Sequence, residues 1–189
     1  MDLESQKPLL ITFLGSIGSG KSFFARQLSE RMRIARFNPD SARIAVHGSV
    51  EALMLRPERD TEYDVMLFKL IDYGVEAVLK SGHSVIYDTA RYNGIANRYQ
   101  VNELADSVGA QVVLVWIKTP RDVATVRATN REERADQRQL SAEKTERYLD
   151  FHETNFNPPQ VGELVIEISG QIPFDEQYRI FEEQLVHLL

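Results

Sequence analysis

The chain has 189 residues, 43% of them hydrophobic and 26% charged, with a formal net charge of -6 and no cysteine. That size and balance suit one globular domain with an ample core. They argue against a general nucleic-acid coat or a binder of anionic membranes, and they exclude a disulfide framework, a thiolate zinc site and a cysteine nucleophile.

Residues Met1 to Lys7 are acidic and polar, unlike a signal peptide. No apolar run approaches the length of a membrane span. The expectation is a cytoplasmic protein without a membrane partner. In chain order, 8–14 reads as a buried parallel strand. A helix follows with Phe24, Leu28 and Met32 at helical spacing, then a short weak strand over 34–38 that ends at Pro39. Asp40 suits an N-cap of the next segment. Residues 47–61 are irregular, either a flap over a site or a plain surface loop. Apolar residues then recur at helical spacing from 61 to 80, and Ser81-Gly82 closes that helix. A strand over 83–88 ends in Asp88. A polar loop over 89–94 leads to a helix over 95–107 with Gly109 as its cap. The most apolar strand, 111–117, belongs at or near the sheet centre. Thr119-Pro120 opens an arginine-bearing helix, another runs from about 141 to 153, and 155–159 breaks it. A strand over 163–168 and a helix over 174–188 finish the chain. Strands alternating with helices predict an α/β fold: a mostly parallel five-stranded sheet covered on both faces, in a single domain over 1–189 with a helical lid at about 121–140. Ligands of such sheets bind at the strands' carboxyl ends.

One stretch organises the rest. Gly15-Ser16-Ile17-Gly18-Ser19-Gly20-Lys21-Ser22 fits the phosphate-binding loop G-x-x-x-x-G-K-[ST] and sits between a predicted strand and a predicted helix. Its glycines let backbone N–H groups approach phosphate oxygens, and the helix N-terminus adds partial positive charge. Lys21 would reach the β- and γ-phosphates of ATP, and the Ser22 hydroxyl would ligate Mg2+.

Other candidates lie near strand ends. Asp88 is placed to hold the Mg2+ shell, or else to cap the following loop. Asp40 and Arg43, three apart, share a helix face, so a carboxylate for a hydroxyl proton would stand beside an arginine for substrate; an N-cap acid beside a solvated arginine is the plain alternative. Arg121, Arg127, Arg131, Arg134 and Arg138 would supply charge from a lid, but Asp122, Glu132, Glu133, Asp136, Glu143 and Glu146 interleave with them as on any solvated helix. The four histidines have no metal-ligand spacing, and Trp116 reads as core. Arg91, Tyr92 and Asn93 follow Asp88 within reach of substrate, with nothing in the pattern that demands contact.

Together, Gly15 to Ser22, Asp40-x-x-Arg43, Val85-Ile86-Tyr87-Asp88-Thr89 and Arg127-x-x-x-Arg131 resemble the P-loop kinase family that contains the polynucleotide 5′-hydroxyl kinases and AAA-type kinases. Chloramphenicol phosphotransferase and the zeta toxins are more distant likenesses. The resemblance implies an ATP- and Mg2+-dependent phosphotransferase with an alcohol acceptor, either an oligonucleotide 5′ end or a small metabolite, nucleoside or antibiotic. It implies Asp40 as general base, Arg43 as acceptor holder, Asp88 beside metal or acceptor, Arg131 as catalytic lid arginine supported by Arg127, and Phe156 to Pro159 near the adenine. No obligate protein partner is expected. The rival class is an ATP-binding regulatory switch with slow hydrolysis.

Overall fold

The computed structural model describes residues 7–49, 61–130 and 140–189. Strand β1 (Leu9–Leu14) is buried along its whole length, as a continuous apolar run with helices on both faces must be. The remaining elements are α1 (Lys21–Met32), β2 (Ala35–Phe37), α2 (Pro39–His47), α3 (Thr61–Lys80), β3 (Val85–Tyr87), α4 (Ile95–Ser107), β4 (Gln111–Lys118), α5 (Arg121–Thr129), α6 (Ala142–Asn155), β5 (Val165–Ser169) and α7 (Phe174–Leu188). A short 3-10 turn over Arg91–Asn93 precedes α4.

The sheet order is β2-β3-β1-β4-β5, and every pairing is parallel. All strands therefore open their carboxyl ends on one edge, and β1 holds the centre with the apolar β4 beside it. The period-2 alternation of strand side chains divides the core into two layers. Leu9, Ile11 and Phe13 meet Phe24 and Leu28 of α1 and Phe181 of α7. Leu10, Leu14, Val85 and Tyr87 meet Leu67, Ile71, Val75 and Leu79 of α3 and Val101 of α4. Each such side chain taken wholly out of water contributes about 1.5–3 kcal/mol.

Two local choices explain themselves. Gly74 lies inside α3 at some cost in helix propensity, because a Cβ there would come within 2.8 Å of the Phe37 ring. The start of α2 departs from expectation. Asn38, not Asp40, is the N-cap: its side chain accepts from the Ser41 N–H at 2.8 Å, and Pro39 takes the first helical position. Proline lacks the N–H that this position would leave unpaired, so Asp40 falls inside the first turn and its carboxylate is not spent on capping. The predicted lid spans α5 and residues 131–139, and the latter lie outside the described residues.

Candidate phosphate and acceptor site

The loop between β1 and α1 turns on three left-handed glycines, Gly15 (φ 135°), Gly18 (φ 74°) and Gly20 (φ 103°). A Cβ on Gly15 would stand 2.6 Å from the Ile117 carbonyl oxygen, and one on Gly18 would overlap Ala124. Gly20 is also the N-cap of α1 and offers no side-chain cap. The helix N-terminus is thus open to an outside acceptor such as phosphate. The Lys21 ammonium folds back over the loop, donating to the carbonyls of Gly15 (2.8 Å) and Ser16 (2.6 Å). This is a cradle that fits a chain of phosphates: a tight glycine loop, a helix N-terminus and a nearby cation.

Ser22 and Asp88 meet at the floor. The Ser22 hydroxyl donates to Asp88 Oδ1 at 3.1 Å. Asp88 Oδ2 accepts from Arg36 at 2.5 Å and from Asn38 at 2.9 Å. Among the described residues no cluster of three or more histidines and acids could hold a metal alone. The pair fits Mg2+, which takes one or two protein oxygens and completes its shell with phosphates and water.

On the same side, α2 presents Asp40 and Arg43. Arg43 donates to Asp40 at 3.0 Å and to Asp64 of α3 at 2.8 Å, and its guanidinium lies 5.7 Å from the Phe68 ring centre. Burial works against the Arg43 charge, but these two acids outweigh it and raise its pKa. Arg91 covers the same ring at 5.5 Å and pairs with Asp72 at 3.2 Å. Tyr87 and Tyr92 lie edge to face at 5.5 Å beneath them. Burial pushes both phenols upward, so they remain neutral.

One cavity of about 1630 Å³ joins these groups. Gly15, Ile17, Gly18, Gly20, Lys21, Ser22, Asp40, Arg43, Asp88 and Arg127 all line it. Ser16 borders a neighbouring hollow beside β4, and Ser19 is buried under the loop, its carbonyl accepting from the Thr119 hydroxyl at 2.8 Å. Arg127 donates to the Gly170 carbonyl at 2.7 Å. Arg131, Arg134 and Arg138 lie outside the described residues. Arg121 does not belong to the site: it is exposed and bonded to Glu146, Asp150 and Glu153 of α6. These three acids draw that arginine from α5 onto α6. Of Phe156 to Pro159 only Phe156 lines the cavity; Asn157 and Pro158 turn to Ile95 and Arg98. Residues 170–174 line it as well. Trp116 packs on Phe156 at 5.4 Å. The His152 ring lies 4.9 Å from that of Phe156, tilted by 45°, and burial, with the Lys21 charge second, lowers its pKa to about 4.

Sequence reasoning missed Arg36, Asn38, Asp64 and Arg98, and left Asn93 without a role. Arg36 lies within the short β2 and Asn38 just after it, and no spacing marks them. Asn93 binds the backbone of Gly15 through both atoms of its amide.

Comparison with known proteins bears on the fold. No curated protein matches the chain. A sugar kinase from Janibacter sp. HTCC2649 superposes with a TM-score of 0.64 at 17% identity, over 96% of this chain and 95% of that one. A gluconokinase from Sinorhizobium meliloti 1021 gives 0.61 at 17%, over 97% and 94%. Kti12 of Chaetomium thermophilum, in complex with ADP-AlF3, gives 0.64 at 17%, over 96% and 100%. At such identities the likeness is one of fold, the P-loop NTPase fold that kinases share. The AAA domain family matches residues 10–154, a span that holds the glycine loop, Asp40, Asp88 and Arg127, and the chain belongs to that family.

Proposed function

We propose that the protein is an ATP- and Mg2+-dependent phosphotransferase that moves the γ-phosphoryl group to an alcohol. The observation that carries this reading is a single cavity lined by Lys21, Ser22 and Asp88 and also by Asp40 and Arg43. Phosphoryl transfer needs a cradle, a metal, a placed nucleophile and positive charge on the moving group. Mg2+, when bound at Ser22 and Asp88, would neutralise phosphate charge. Lys21 leaves its two carbonyls for the phosphates. Asp40 accepts the proton as the acceptor oxygen bonds to phosphorus and the bond to ADP breaks. Arg43 holds Asp40 towards the cavity, and Arg127, with Arg131, supplies charge to the transferring group.

The acceptor end favours a small polyhydroxylated molecule over a nucleic acid. Arg36, Arg43 and Arg91 are each bonded to an aspartate already. Releasing one to hold a phosphate would strand a carboxylate, a costly exchange in a partly buried site. Carboxylates such as Asp40 and Asp64 are instead good acceptors for hydroxyl groups, and the Phe68 ring offers an apolar floor beside them. The test is transfer from γ-labelled ATP with Mg2+ to sugars, aminoglycosides, nucleosides and 5′-hydroxyl oligonucleotides, with Lys21→Ala as the blank. Label on a polyol or amino sugar is expected. Label on the oligonucleotide alone would keep the chemistry and replace the acceptor. Nucleotide binding without transfer to anything would favour the regulatory switch.

A further inference from the structure

The Gly15 peptide is gripped from outside the loop. Asn93 Oδ1 accepts from the Gly15 N–H at 2.9 Å, and Asn93 Nδ2 donates to the Gly15 carbonyl at 3.0 Å. The same carbonyl accepts from Lys21 Nζ at 2.8 Å. A carbonyl oxygen has two lone pairs, so Asn93 and Lys21 together fill it. A carboxamide carries an acceptor oxygen and a donor nitrogen side by side, which matches the N–H and C=O of one residue.

Asn93 is itself held in place. Arg98 of α4 is fully buried. Its Nε donates to Glu163 at 2.8 Å, and its remaining nitrogens donate to the carbonyls of Tyr92 (3.1 Å), Asn157 (3.0 Å) and Pro158 (3.0 Å). The Asn157 N–H closes the ring by donating to the Asn93 carbonyl at 3.0 Å. A buried guanidinium is tolerated only where its donors are placed. Arg98 therefore locks the turn that carries Asn93 to the segment that follows α6.

We infer that Asn93 is a positioning residue of the phosphate-binding loop: it fixes the Gly15 peptide and keeps that carbonyl bonded when Lys21 turns to a phosphate. The inference rests on the reading of the loop as a nucleotide site. Without Asn93, the departure of Lys21 would leave the Gly15 carbonyl bare, and nucleotide binding would bear that cost. The N–H of Gly15 would also be released from the orientation that shapes the first turn of the cradle.

The test is ADP affinity by titration calorimetry on the full chain, with melting temperature measured in parallel. The variants are Asn93→Ala and Asn93→Ser, the latter too short to reach both Gly15 atoms, and the control is Leu185→Ala, a core change in α7 far from the loop. Both Asn93 variants are expected to bind ADP at least about tenfold more weakly, whereas the control, at equal or greater loss of melting temperature, stays within about twofold of the native protein. Native affinity retained in a folded Asn93 variant, or a control that weakens in step with its stability, would overturn the inference. A native protein that binds no ADP would instead overturn the nucleotide reading itself. If Asn93→Ala does not fold, Asn93→Ser decides.

Discussion

At the centre of the sheet edge the cavity presents backbone: the N–H groups of a glycine loop, the open end of α1, and one lysine. Towards β2 and β3 it presents side chains: Arg43 and Arg91, each bonded to an aspartate and close to the Phe68 ring, and Asp88, which Arg36 holds. Phosphates are the same in every nucleotide, so the first end can be fixed by covalent geometry. An acceptor varies, and a lattice of side chains from α2, α3 and the loop after β3 can change its recognition without disturbing the cradle. On the proposed reading, phosphate binding and acceptor recognition thus rest on separate parts of one edge.

The comparison can be broken by removing a single group from either end. The largest effect belongs to Lys21→Ala, which should cut transfer from labelled ATP by about 10³-fold or more, because charge is lost where it develops in the transition state. Asp40→Asn should lower kcat by about 10²–10⁴-fold and leave ADP affinity within about twofold, since it touches only the acceptor end. If ADP affinity fell as steeply as kcat, the two ends would not be separable and Asp40 would lose its role as base.

A third change addresses the loop's support. A Cβ on Gly170 would overlap the Thr119 hydroxyl and the Ser19 carbonyl, which are hydrogen-bonded to each other under the glycine loop. Gly170→Ala should cost about 1–3 kcal/mol of stability as overpacking, read as a lower melting temperature together with weaker ADP binding. Native ADP affinity in that variant would show the cradle to be independent of the β5 end.

Protonation gives a smaller handle. The His152 imidazole titrates at about 4 when folded, against an ordinary 6.5. Its neutral, packed form therefore contributes stability that is complete above about pH 6.5. That stability is lost as pH falls towards 4, because the unfolded chain takes the proton first. The ring is only partly buried, so the contribution is discounted to about 1 kcal/mol. His152→Gln should flatten the dependence of melting temperature on pH between 4 and 6.5, and an unchanged slope would remove His152 as its source. The smallest effect belongs to Arg121→Ala. Its partners are exposed acids on α6, so transfer should stay within about twofold of native. A tenfold loss would return Arg121 to the lid.

Much of the fold was legible because its signals are local. The apolar run before Gly15, the 3.6-residue spacing over 61–80 and the glycines at 82 and 109 each mark an element by itself. The cradle was legible for the same reason: its chemistry is a string of contiguous residues. Asp40 and Arg43 were readable as a pair by their spacing of three, and the structure joins them at 3.0 Å. Their setting was not readable. Asp64 reaches Arg43 from 21 residues away, and Arg36 reaches Asp88 across 52. Such pairings exist only after the sheet forms. The N-cap was misplaced for a different reason: an aspartate opening a segment is a capping residue type, but proline favours the first helical position, which makes Asn38, one step before Pro39, the cap.

The all-parallel sheet has a practical consequence for anyone handling the molecule. Every strand points its carboxyl end to one edge, where the cavity lies, and the opposite edge carries the strands' amino ends. There Gly82 and Gly109 lead the chain towards β3 and β4, and a Cβ at either would meet nothing within 4 Å. Their left-handed backbone disfavours replacing the glycines themselves, but the exposed neighbours Ser81 and His83 offer anchoring points. A cysteine placed at Ser81 would let the protein be tethered to a sensor surface or coupled to a dye with the cavity facing outward. Binding measured in that orientation would report on the site alone.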